Sequence, residues 1–109
     1  MAYDEGLAER IGTVFPDMDG VVEKKMFGGL AFMVNGNMCV GVIKDLLMAR
    51  VGPDQYSESL TLPGTSEMDF TGRVMKGMVF VDQSVLGEDE QLKAWILRCL
   101  QFTQTLPPK

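Results

Sequence analysis

The stretch Lys24-Lys25-Met26-Phe27-Gly28-Gly29-Leu30-Ala31-Phe32-Met33-Val34-Asn35-Gly36-Asn37-Met38-Cys39-Val40-Gly41-Val42 decides the fold, because two apolar runs meet in it across Asn35-Gly36. A two-residue type I′ loop needs positive φ at both central positions. Asn and Gly supply this with little strain, and the turn's twist matches that of the flanking strands. The stretch therefore reads as a β-hairpin with Val34 opposite Asn37, Met33 opposite Met38, Phe32 opposite Cys39 and Ala31 opposite Val40. After Lys44-Asp45, the run Leu46-Leu47-Met48-Ala49-Arg50-Val51 supplies a third antiparallel strand, with Ile43 facing Leu46 and Val42 facing Leu47. Strict alternation puts Ala31, Met33, Met38, Val40, Val42 and Leu47 on one side, and Leu30, Phe32, Val34, Cys39, Met48 and Arg50 on the other. Both sides are mostly apolar, so each must be covered.

Two helices are available as cover. Tyr3, Leu7, Ile11, Val14 and Phe15 recur at helical spacing, with Asp4 and Glu5 at the favourable N-terminal end and Pro16 as a stop. Near the other end, Leu92, Trp95, Ile96, Cys99 and Leu100 form a stripe that extends towards Thr103 and Leu106. It follows the acidic start Glu88-Asp89-Glu90 and ends at Pro107-Pro108. A short helix is predicted from Gly52-Pro53 through Leu60, since Pro suits a first helical turn. Met68-Asp69-Phe70 and Met78-Val79-Phe80-Val81, separated by a turn signal at Thr71-Gly72, predict two more strands, with Thr61 to Glu67 as a surface loop. The class is α+β: one antiparallel sheet with helices, in the order α-β(3)-α-β(2)-α. If both long helices take one face, the other face calls for a second copy of the chain. If the helices divide between the faces, no partner is needed.

The 109 residues suit a single domain, expected to span 1–109, and the nine methionines supply adaptable apolar filling. No apolar run approaches the roughly 20 residues needed to cross a bilayer, and the N-terminus has no secretory signal pattern, so a cytoplasmic, membrane-free protein is expected. The two cysteines, Cys39 and Cys99, read as small buried apolar residues. With no histidine in the chain, they cannot make a conventional zinc site, and neither a Ser-His-Asp nor a Cys-His centre can form. Gly28-Gly29 lacks both the Walker and the dinucleotide frame. No metal, no cofactor and no catalysis are expected.

Several blocks carry a resemblance that covers nearly the whole chain. They are Lys25-Met26-Phe27-Gly28-Gly29, the Asn35-Gly36 hairpin, Arg50-Val51-Gly52-Pro53-Asp54, and Met68-Asp69-Phe70-Thr71-Gly72-Arg73 with Met75-Lys76-Gly77. Together they resemble the N-terminal domain of the TfoX/Sxy competence regulators. The resemblance implies a secretion-chaperone-like arrangement and a transcription-linked interaction module whose partner is a transcription regulator. Full-length regulators of that family add a C-terminal domain, so this chain is expected to be a stand-alone module.

Direct DNA binding is opposed by a net charge of −5 and the lack of a basic recognition helix. Lys24, Lys25, Arg50, Arg73 and Lys76 lie in the blocks just quoted. If the sheet gathers them, they form a basic patch for an anion or an acidic partner surface; otherwise they are scattered solvated charges. Phe27, Gly28, Gly29 and Phe70 are a candidate pocket, which would make the chain a small anionic-ligand-binding domain. The further alternative is a homo-oligomeric structural protein, a homodimer through the sheet face.

Overall fold

The computed structural model of the chain describes residues 3–26, 28–70 and 73–108, and gives the backbone alone at residues 69, 70 and 73–75. Asn35 and Gly36 take φ of 52° and 84°, so the turn forms as the dipeptide demands. It joins β2 (Gly29–Val34) to β3 (Asn37–Ile43), with Val34 paired to Asn37 and Met33 to Met38. A second tight turn, with Lys44 at φ 52°, leads into β4 (Leu46–Arg50), and Ile43 pairs with Leu46 and Val42 with Leu47 as expected.

The sheet has one more strand than expected, β1 (Val21–Met26), paired antiparallel with β2. Its side chains are largely exposed, so it has none of the buried alternation that betrays a strand in sequence. Strands β5 (Thr65–Phe70) and β6 (Arg73–Asp82) complete one antiparallel six-stranded sheet in the order β1-β2-β3-β4-β6-β5. β5 begins at Thr65, which shortens the loop expected over Thr61 to Glu67. Three helices accompany the sheet: α1 (Glu5–Val14), α2 (Pro53–Ser59) and α3 (Asp89–Thr103). The chain is α+β in the order α-β(4)-α-β(2)-α.

One residue changes the expected allocation of faces. Phe32 pairs with Val40, not Cys39, and Ala31 with Gly41, because β3 carries an unpaired extra residue, Cys39, between Met38 and Val40. Such a bulge reverses the in-out parity of everything that follows. Val40, Val42, Leu47 and Ala49 therefore join Leu30, Phe32 and Val34 in the core beneath α1 and α3, together with Leu7, Ile11, Ile96 and Cys99. Met48 and Ile43 instead join Ala31, Met33 and Met38 on the opposite face, with Met68, Met78, Met26 and Phe80.

Both long helices take the first face, and the second is filled from within. Ala31, Met48 and Met68 are completely buried although they come from β2, β4 and β5. Flat neighbouring strands would be spaced about 4.8 Å apart, yet Met26 of β1 and Met78 of β6, with three strands between them, line one cavity, which requires a sheet that curls on itself. Unbranched thioether side chains suit that irregular interior; the methyl of Met48 lies over Gly41, where a Cβ would come within 2.7 Å of it.

Helix ends follow local chemistry. The Asp4 carboxylate accepts from Gln83 Nε2 at 2.8 Å and from the Leu7 amide at 3.1 Å, and the two bonds hold its pKa below the usual carboxylate value. Gln91 Oε1 accepts from the Glu88 amide at 3.2 Å at the start of α3. Arg10 ties α1 to that start through the Leu86 carbonyl at 2.6 Å and Asp89 at 3.2 Å.

Candidate functional site

Arg50 ends β4, and the next residues must turn sharply into α2. Gly52 makes the turn at φ +87°, and Pro53 occupies the first position of α2. The corner is bound to β6 by one acceptor: the Gly77 carbonyl takes the amides of Val51 at 2.9 Å and Gly52 at 3.0 Å. Gly77 itself has φ +93°. This junction brings Arg50-Val51-Gly52-Pro53 against Lys76-Gly77, two blocks far apart in the chain.

A cavity of about 380 Å³ opens at the junction. Met26, Met33, Met38 and Met78 line it from the curled face, Phe102 and Pro53 close one side, and Arg50 and Lys76 are its only charged lining residues among those described. The Arg50 guanidinium donates to the Met38 carbonyl at 3.3 Å and lies 5.5 Å from the centre of the Phe102 ring. Arg50 is half-buried, yet among the described residues no carboxylate pairs with it; the ion pairs there are Arg10 with Asp89 and Arg98 with Glu58. A guanidinium withdrawn from water without a counter-ion is costly to maintain. The arrangement can therefore receive an anionic group above an apolar floor.

Of the five basic residues singled out in sequence, Arg50 and Lys76 meet at this cavity. Lys24 and Lys25 stand exposed on β1 and do not line it. The Arg73 side chain lies outside the described residues, as do Phe27 and the side chain of Phe70. Gly28, at φ +74°, is exposed, with nothing among the described residues beyond its chain neighbours near the position of a Cβ. Gly29 is packed so closely against the Val42 carbonyl that a side chain there would strike it. Sequence reasoning missed the methionine walls and Phe102. The hairpin register already put Met33 and Met38 on one side; the missing signal was β1, whose pairing with β2 brings Met26 to the same cavity.

The cysteines are both free and buried. Burial raises the Cys39 thiol to about 11 against the opposing hydrogen bond from Thr103 and the charge of Arg50, and burial raises Cys99 well above its ordinary value. Both are thiols at neutral pH, not nucleophilic thiolates. No cluster of three or more Cys, Asp or Glu among the described residues could hold a metal ion. No helix among them is long and apolar enough to cross a membrane.

These features define an α+β domain whose single antiparallel sheet curls over methionines and opens at a basic cleft. The chain belongs to the TfoX N-terminal domain family, whose model matches residues 13–103. Searches of curated proteins and of solved structures returned no match. Each block that carried the family resemblance reaches the cavity or the cluster beneath it: Met26, Gly36, Arg50 with Gly52 and Pro53, and Lys76 with Gly77 line it, and Met68 lies in the cluster.

Proposed function

We propose that this chain is a non-catalytic protein-interaction module, linked to transcription as its family resemblance implies, and that its contact site is the methionine-walled cavity at Arg50. The observation that carries the reading is the half-buried Arg50 guanidinium, which has no carboxylate partner among the described residues. An acidic group from a partner supplies the missing counter-charge, and methionine walls adapt to whatever apolar side chain accompanies it. Two free buried thiols suit a reducing compartment, and the cytoplasm is the proposed setting. The test is capture from cells with a tagged chain. A transcription regulator retained by the natural chain and lost with Arg50→Glu supports the reading; capture that ignores Arg50→Glu removes the site.

Self-association through the sheet is a second reading, favoured by Val22. This side chain is 61% exposed on the edge strand β1 and paired beside Met33. Sedimentation across concentration separates the two: a monomer at every concentration leaves only the hetero-partner.

A further inference from the structure

The geometry points to the chemistry of the occupant of the Arg50 cavity: an apolar chain ending in a single carboxylate. This inference rests on the cavity being the contact site, and it names what enters. The four methionines, Phe102 and Pro53 offer no strong hydrogen-bond donor, so the body of the ligand must be apolar. Among the described residues the charged groups at the cavity are Arg50 and Lys76, and no acidic residue of that set lines it to repel or neutralise an anion.

Arg50 is suited to a planar carboxylate. Its guanidinium has five N–H donors, of which one bond goes to the Met38 carbonyl, and the Phe102 ring lies beside it. The Gly52 amide is unavailable, because it is bonded to Gly77. Two cationic side chains, with the Gly52 amide already engaged, match a monoanion better than a polyphosphate, which would need several more donors. At about 380 Å³ the space suits a medium-length acyl chain or the apolar side chain of a peptide's last residue. A free fatty acid and a peptide C-terminus present the same chemistry.

The probes are octanoate, hexanoate, octanol and octylamine, with a short peptide ending in leucine in free-acid and amidated forms. Each is titrated into the full chain by calorimetry and by the NMR shifts of the methionine methyl groups. Octanoate is expected to bind and to move the methyls of Met33 and Met38. Each buried methylene is worth roughly fourfold in affinity, so hexanoate should bind roughly 15-fold more weakly. Octanol and octylamine should bind at least tenfold more weakly than octanoate. Arg50→Gln should cost octanoate at least tenfold and leave octanol unchanged. Lys76→Gln, at an exposed side chain, is the variant least able to disturb folding and should cost severalfold. A free-acid peptide that outcompetes octanoate assigns the carboxylate to a protein terminus; an inert peptide assigns it to a small molecule, and either supports the inference.

Equal binding of octanol and octanoate overturns it, as does octanoate binding that is indifferent to both variants, or no carboxylate binding at millimolar concentration. The proposed protein contact fails separately. If octanoate binds but no partner is lost with Arg50→Glu, that reading falls and this one stands. If capture depends on Arg50 but no carboxylate binds, the reverse holds.

Discussion

The ring of Phe102 fills the space into which a side chain at Gly52 would project: a Cβ there would lie 2.6 Å from the ring's Cγ. Gly52 also sits at φ +87°, so two separate costs attach to one substitution. Gly52→Ala is expected to lose roughly 1–3 kcal/mol from backbone strain alone, plus the cost of displacing the ring. Gly28→Ala, at φ +74° with no described residue beyond its chain neighbours within 4 Å of the new Cβ, carries only the first cost. Thermal unfolding of the two variants should therefore show a clearly larger fall in Tm for Gly52→Ala, at about 4–8 °C per kcal/mol.

Arg50→Met should separate stability from function. It removes a half-buried charge that lacks a counter-ion and adds a thioether to walls already made of them. Replacing such a charge by an apolar residue of similar size is commonly neutral or stabilising, here by up to about 1 kcal/mol. The urea midpoint should hold or rise while capture of an acidic partner is lost. A fall of more than about 2 kcal/mol would make the Met38 carbonyl bond, not ligand binding, the reason for the arginine.

The curled face makes unequal demands on its methionines. Met48 is fully buried, and Met48→Ala should cost roughly 2–5 kcal/mol through the cavity left behind. Met33, half-buried at the mouth, should cost under about 1 kcal/mol on truncation to Ala. Similar urea midpoints for the two variants would mean that the face is not closed within one chain.

The buried thiols give the protein an alkaline limit. Burial lifts Cys39 from its ordinary value of 9.0 to about 11, so above pH 9 the unfolded chain gives up protons that the folded chain retains. Their contribution is intact below pH 9 and is lost as the pH rises towards 11. Urea midpoints measured from pH 7 to 11 should fall over that window and fall less in the Cys39→Ala, Cys99→Ala double variant. At pH 8, a thiol reagent should label the natural chain only after denaturant is added.

What could be read from sequence was what local chemistry dictates. Asn35-Gly36 and Lys44-Asp45 fixed two turns, Gly52-Pro53 fixed the start of α2, and the stripe from Leu92 to Leu100 fixed α3. The register broke at Cys39 because a bulge leaves no mark on apolar alternation when both neighbouring faces are apolar. β1 was hidden for the opposite reason: an exposed edge strand buries too little to impose a pattern. Arg50 and Lys76 were each visible as basic residues in suggestive blocks. Their meeting depends on the Gly77 carbonyl bonding across to Val51 and Gly52, a long-range contact that no spacing rule supplies. Phe102 was passed over because it stands beside the buried stripe of α3, half exposed.

The extra peptide unit at Cys39 sorts the sheet's side chains into two compartments. Valines that pack well under helices go to one, and thioethers that conform to odd spaces go to the other. A chain one residue shorter at that point would invert the sorting for the rest of the meander, turning Val40 and Val42 towards the methionines of the curled face and Met48 towards the helices. The receptive character of the cleft is thus a matter of counting along one strand.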